Sequence, residues 1–147
     1  MRGPAVLVLS FLGMVETMYL GFSRGGPPVP CSITNGCGDV LTSVYSEVGG
    51  IPISWLGFAF YLLAFGVAVF SVFGTAALRL LRWPAAFAFA VSLVLTGIQG
   101  LVLDAWCQYC LASALLSTAI AALVWTGPKP GSEYEAGADS FDEPENA

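Results

Sequence analysis

Four long apolar stretches, set apart by short polar breaks, dominate the pattern of this chain. A helix needs about 20 apolar residues to cross about 30 Å of hydrocarbon. Segments 4–22, 51–73, 84–103 and 107–126 meet that requirement, the first carrying one acid, Glu16, and the third closed by Asp104. The opening stretch, Arg2 followed by AVLVLSFLGMV, begins as a signal peptide does. However, Glu16 interrupts it and no small-x-small cleavage site follows in TMYLGFSRGG, so it reads as a retained span. Between the first two spans lies the one sizeable polar region, Ser23 to Gly50. It opens on RGGPPVP, whose prolines and glycines forbid helix. Further along, Asp39 is a good N-cap and Gly49 or Gly50 a good stop. Val40, Leu41, Val44, Tyr45 and Val48 fall on one helical face, with Thr42, Ser46 and Glu47 opposite. The spacing predicts a short helix lying in the membrane interface as a lid over the bundle; the plainer alternative is an amphipathic connector with nothing beneath it. The fold class expected is therefore an all-α membrane protein, a four-transmembrane-helix bundle with a short amphipathic interfacial helix in its first outer loop.

Composition agrees. Of 147 residues, 56% are apolar and 10% charged, too few charges for a soluble domain of this length. The net charge of −5 is concentrated at one end, where Glu133, Glu135, Asp139, Asp142, Glu143 and Glu145 crowd the last stretch. Residues 1–126 read as one membrane domain and 127–147 as an acidic, disordered tail. With no basic patch, nucleic acid is excluded as a partner. With no histidine, Ser-His-Asp catalysis, haem ligation by His and His-bearing zinc sites are excluded too. The chemistry left is that of thiols, carboxylates, hydroxyls or a bound cofactor.

Basic residues set the orientation. Arg2, Arg79, Arg82 and Lys129 fall on one side of the spans and only Arg24 on the other. The positive side is cytoplasmic, so both termini face the cytoplasm and the loop from Ser23 to Gly50 faces outward. All four cysteines then lie on that outer face, where disulfides persist.

Cys107 and Cys110 open the fourth span, one helical turn apart, so their sulfurs can bond or separate with little backbone movement. Unsatisfied N–H groups and the positive dipole end at the helix mouth favour a thiolate, the reactive form, while Asp104 acts in the opposite sense. Cys31 and Cys37 form a second pair in the outer loop. Structural disulfides, a four-thiolate zinc site and unconnected buried cysteines are the alternatives. Two pairs on one face point instead to a relay: one pair meets an external dithiol, and the other meets an acceptor at the membrane by thiol–disulfide exchange. No flavin or haem motif is present, which leaves a lipid-soluble quinone near Cys110 as the acceptor.

The order helix, cysteine-pair loop, three helices, with CxxC opening the fourth, resembles the vitamin K epoxide reductase family and its bacterial homologues. GMVETMYL resembles the end of that family's first helix. CSITNGCGDVLTSVYSEVGGIPISWLGFAFYLL resembles its loop and second helix, including the serine six positions after the second cysteine, Ser43. WCQYCLASA resembles its active-site motif, and the likeness runs from Gly13 to about Ser117. The resemblance implies a bundle around a quinone of menaquinone, ubiquinone or vitamin K type. It further implies Cys107 and Cys110 as the active-site pair, with Cys110 nearer the quinone, and Cys31 and Cys37 as the shuttle pair for a thioredoxin-like protein. Many bacterial members carry that partner as a fused C-terminal domain; here YEAGADSFDEPENA stands instead, so a separate periplasmic or extracellular partner is expected. Two departures matter. Where animal enzymes have an asparagine on helix two and a tyrosine four residues beyond the second CxxC cysteine, this chain has Ile53 and Ala114.

The reading is a quinone-dependent thiol oxidoreductase of the cell (inner) membrane, or of the endoplasmic reticulum membrane in a eukaryote, that reoxidises a thioredoxin-like partner and drives disulfide formation in exported proteins. Ser43, Trp55, Leu56 and Phe60 are the candidate quinone contacts by position; no metal is expected. Alternatives are vitamin K quinone or epoxide reduction, a quinone oxidase of the disulfide-bond protein B type (whose CxxC follows the first helix, the reverse of the order here), and a non-enzymatic tetraspan with structural disulfides. Glu16, the acid within a span, reads equally as a functional group or as a bystander near the interface.

Overall fold

The computed structural model describes residues 2–24, 26–27, 29–34, 36–71 and 75–126. The acidic segment 127–147, expected to be disordered, lies outside the described residues. Four long helices carry the fold: α1 (Arg2–Ser23), α3 (Ile53–Phe70), α4 (Arg82–Leu101) and α5 (Gln108–Trp125). All are long and apolar enough to cross a membrane, and each matches an expected span to within a few residues. The chain is a multi-pass membrane protein. Its outward surface is correspondingly apolar: Phe11, Leu62, Phe87, Leu93 and Leu115 are all exposed, as lipid-facing side chains are.

Packing is uneven along the bundle. At the end holding the start of α1, the end of α3 and the end of α5, Val6, Tyr61, Ala64, Ala68, Leu81 and Ile120 form a closed core. Leu78 and Leu81, beside Arg79 and Arg82, join that core, so Arg2, Arg79 and Arg82 gather at this end. At the opposite end the helices diverge. Helix α1 packs along α3 and α5, and α4 packs on α5, but α3 and α4 scarcely touch. A cavity of about 560 Å³ occupies the space they leave.

The loop over this cavity departs from the sequence expectation. Helix α2 (Cys37–Thr42) starts three residues earlier than expected, with Gly36 at the N-cap and Asp39 inside the first turn, and it ends after Thr42. Ser43 turns extended, and its hydroxyl and N–H both bond to the Val40 carbonyl at 2.8 and 3.3 Å. This self-capping by a serine competes with helix continuation. A 3-10 turn, Val44–Ser46, and a two-stranded hairpin, β1 (Glu47–Val48) and β2 (Ile51–Pro52), follow. The hairpin turn places Gly49 and Gly50 at φ +59° and +82°. Consecutive positive φ values of this kind are what a tight two-residue turn demands and what glycine supplies without strain. The single apolar face expected over 40–48 is thus divided: Val40 is buried, while Val44 is 83% exposed. Arg24, at the end of α1, holds the turn down through an ion pair to Glu47 at 2.8 Å and a hydrogen bond to Ser46 Oγ at 2.8 Å.

Candidate functional site: a thiol row ending at a cavity

Cys31 and Cys37 are joined by a disulfide across a Cα–Cα distance of 6.1 Å. Cys37 and Cys107 are both buried and share one cluster with Val40 and Ala105, against which Cys31 and Cys110 pack. Cys107 and Cys110 are free thiols. All four cysteines, separated by up to 79 positions in the chain, meet at one end of the bundle.

Three local features make that meeting possible. First, a Cβ on Gly36 would lie 2.7 Å from the Trp106 nitrogen and 2.8 Å from the Ala105 side chain. Only glycine lets the backbone before Cys37 close onto the backbone before Cys107. Second, the residues between the CxxC cysteines hold the shuttle loop: the Ile33 N–H donates to Gln108 Oε1 at 2.9 Å, and the Tyr109 hydroxyl donates to the Pro30 carbonyl at 3.0 Å. Third, Gln99, buried on α4, accepts the Cys107 N–H through Oε1 at 3.0 Å, while its own carbonyl accepts the Ala105 N–H at 3.0 Å. Asp104, at φ +44°, makes the reversal between α4 and α5, a conformation Asp tolerates better than most residues. Gln99, Gln108 and Tyr109 were not singled out from the sequence. The readable signal for Gln99 was a lone amide inside an otherwise apolar span.

The two thiols of the CxxC pair differ in outlook. Cys107 occupies the N-cap of α5, just ahead of the span, and is fully buried against the shuttle pair. Cys110 lines the cavity. The Cys110 thiol, hydrogen-bonded to Cys107, pulls the Cys107 pKa down; burial pushes it up; the N–H groups of Cys110 and Tyr109 at the helix mouth pull it down again. Together they bring it from 9.0 to about 7. A thiolate is therefore available at Cys107 near neutral pH. In the outer pair, Cys31 is the more accessible, and the Thr34 hydroxyl lies 3.6 Å from Cys31 Sγ and 3.9 Å from Cys37 Sγ.

Of the residues expected near a quinone, Ser43, Leu56 and Phe60 line the cavity. Trp55 is not among its lining residues. Its ring covers Gly21 and stands edge-on to Phe22 at 5.3 Å and to Phe58 at 5.8 Å, bracing α1 against α3. Ile53 and Ala114 also line the cavity, so both places where the animal enzymes carry hydrogen-bonding side chains are apolar here. The remaining polar groups on the wall include Gln99 and Ser113, and Ser113 accepts the Tyr61 hydroxyl through its carbonyl at 2.8 Å.

Residues 4–125 match the Vitamin K epoxide reductase family. The chain belongs to that family. A relative, the thiol-disulfide oxidoreductase LTO1 of Arabidopsis thaliana, is 32% identical over 123 residues, covering 71% of this chain and 31% of the relative. The chain thus spans about a third of that relative's length.

Proposed function

We propose that the chain is a quinone-dependent membrane thiol oxidoreductase that reoxidises a thioredoxin-like partner outside the membrane and so drives disulfide formation in exported proteins. The observation that carries this reading is the order of groups from surface to cavity: Cys31, Cys37, Cys107, Cys110, then the apolar chamber. On this reading both termini and the cluster of Arg2, Arg79 and Arg82 face the cytoplasm, as the positive-inside rule requires, and the cysteines face outward.

Cys31 is the entry point. It is the more accessible shuttle cysteine, and Ile33 beside it is 85% exposed, offering an apolar contact to a partner dithiol. Attack by the partner's thiolate opens the Cys31–Cys37 disulfide and frees Cys37, which Thr34 stands ready to stabilise through its hydroxyl. Buried next to Cys107, Cys37 then attacks that sulfur, and Cys110 leaves. The partner's second thiol resolves its bond to Cys31 and leaves as a disulfide; the Cys31 thiolate so freed attacks Cys37, which restores the outer disulfide and leaves the inner pair reduced.

The cavity fits a quinone. Its volume of about 560 Å³ lies in the range of small-molecule sites, its walls are apolar with few polar groups, and it reaches Leu63 and Phe87, exposed on the lipid side where α3 and α4 part. A bound quinone would supply a two-electron, two-proton acceptor beside Cys110. Gln99 and Ser113 would orient its ring, and the clamp of Arg24 on Ser46 and Glu47 would hold the outer loop over it. With Ile53 and Ala114 in the wall, no side chain at those positions can hydrogen-bond an epoxide, which favours plain quinone reduction.

The test uses the full chain in vesicles with a reduced dithiol, dithiothreitol, and a ubiquinone or menaquinone analogue. Wild type oxidises the dithiol only when the quinone is present. Cys110→Ala abolishes this; before dithiothreitol is added, its Cys107 thiolate attacks Cys37 of the outer disulfide, so a Cys37–Cys107 bond accumulates with Cys31 released as the thiolate. Undiminished quinone-dependent oxidation in Cys110→Ala would sink the relay.

A further inference from the structure

One buried acid takes no part in the scheme above. Glu16 lies within α1, and both its carboxylate oxygens are buried with no hydrogen-bond partner among the described residues. The neighbouring hydroxyl on that helix, Thr17, already donates to the Gly13 carbonyl at 2.7 Å. Contacts on either side of Glu16 fix its height in the bundle. One turn earlier, the Tyr61 ring lies against Gly13, and the Tyr61 hydroxyl bonds to Ser113 on α5. One turn later, Tyr19 meets the ring of Tyr109 on α5, centroids 6.1 Å apart. Tyr109 and Ser113 bracket Cys110. Glu16 is thus held level with the CxxC turn.

We propose that Glu16 is the proton donor to the Cys110 sulfur when the inner disulfide opens. An unpaired carboxylate in such surroundings is costly as an anion, whereas the neutral acid has a proton to give. As the Cys37 thiolate attacks Cys107, a Cys37–Cys107 bond forms and the Cys107–Cys110 bond breaks. The electron pair of the broken bond stays on Cys110, which takes the proton from the Glu16 carboxyl through one intervening water. A thiolate, a disulfide and an acid become a mixed disulfide, a thiol and a carboxylate, with one negative charge on each side. When the exchange runs backward, Cys110 returns the proton to Glu16. This deepens the relay reading and rests on it.

The titratable groups at the level of Glu16 are Tyr61 from α3 and Cys107, Tyr109 and Cys110 from the start of α5, with Tyr19 on its own helix; the cations Arg2 and Arg24 sit at the two ends of α1. The experiment compares wild type, Glu16→Gln and Glu16→Asp as full chains in detergent micelles, with no quinone added. Dithiothreitol reduces the protein between pH 5.5 and 8.5. Acid quench and mass-tagging of free Cys110 give the rate, and an indicator dye gives the protons taken from solvent.

Glu16→Gln slows release of Cys110 by at least tenfold, abolishes the decline with pH that wild type retains once the ionisation of dithiothreitol is divided out, and draws one more proton from solvent in the burst that accompanies each opening. Glu16→Asp keeps that decline with part of the rate. It also gives the same comparison with wild type should Glu16→Gln not fold. An unchanged rate, pH profile and proton count in Glu16→Gln overturns the proposal and leaves the relay standing. So does a lower rate with the profile and count unchanged, which marks a packing role. Failure of wild type to pass electrons from Cys31–Cys37 to Cys107–Cys110 overturns the relay itself.

Discussion

The Ile33 N–H donates to Gln108 Oε1 at 2.9 Å, so a residue inside the CxxC motif holds the loop that carries the other cysteine pair. With the Tyr109–Pro30 bond at 3.0 Å, both intervening residues of the motif hold the loop, and the two cysteine pairs pack in one cluster without a covalent link between them.

Weakening this clasp slows exchange before it affects the bundle. Each neutral hydrogen bond contributes about 1 kcal/mol, equivalent to about fivefold in a rate. Tyr109→Phe and Gln108→Ala should each slow Cys37–Cys107 exchange by about that factor, measured by quench and thiol mass-tagging. Thermal stability in micelles should change little.

Gly36 is less forgiving. A methyl there meets backbone at 2.7 Å, which cannot yield as a flexible side chain can. Gly36→Ala should force the two segments apart and cut Cys37–Cys107 exchange more than tenfold. Trapping of the mixed disulfide in a Cys110→Ala background reads this directly, and efficient trapping would refute it.

Cys107 should titrate near neutrality. Its value of about 7 owes most to the hydrogen bond from Cys110. Thiolate absorbance in the ultraviolet, recorded with the outer disulfide intact, should show half ionisation near pH 7. In Cys110→Ala, prepared in a Cys37→Ala background so that no mixed disulfide can form, the midpoint should rise relative to Cys37→Ala alone, since the largest lowering influence is gone while burial still opposes the charge.

Arg24→Ala should release the outer turn. The ion pair to Glu47 is half exposed and contributes less than about 1 kcal/mol to stability, so the midpoint of unfolding should barely move. Amide exchange across Val44–Val48 should accelerate, because the turn also loses the bond to Ser46.

Filling the cavity should separate its two ends. Ala114→Trp places bulk among wall residues beside Cys110. Quinone-dependent oxidation should fall by more than tenfold, while Cys37–Cys107 exchange, which occurs on the other side of Cys110, persists. Equal loss of both would show that the cavity and the exchange site are not distinct.

Much of this architecture was legible in the chain itself. The four spans, the gathering of Arg2, Arg79 and Arg82 at one end, and the placement of Cys31, Cys37, Cys107 and Cys110 at the other follow from residue chemistry alone, because hydrocarbon admits few backbone solutions and fixes helix length. Three-dimensional packing decided the rest. Helix α5 is apolar on nearly every side, so nothing in its pattern says that Cys110 faces the chamber while Cys107 faces the shuttle loop; the rotation of a helix about its own axis is set by its neighbours. The division of the outer helix after Thr42 came from the Ser43 bonds to Val40, a local competition that apolar periodicity does not register. Trp55 went to Gly21 and Phe22 because α1 approaches α3 there. Glu16 was visible as an acid in a span, but the isolation of its oxygens depends on which groups the folded bundle brings near, and only tertiary contacts determine that.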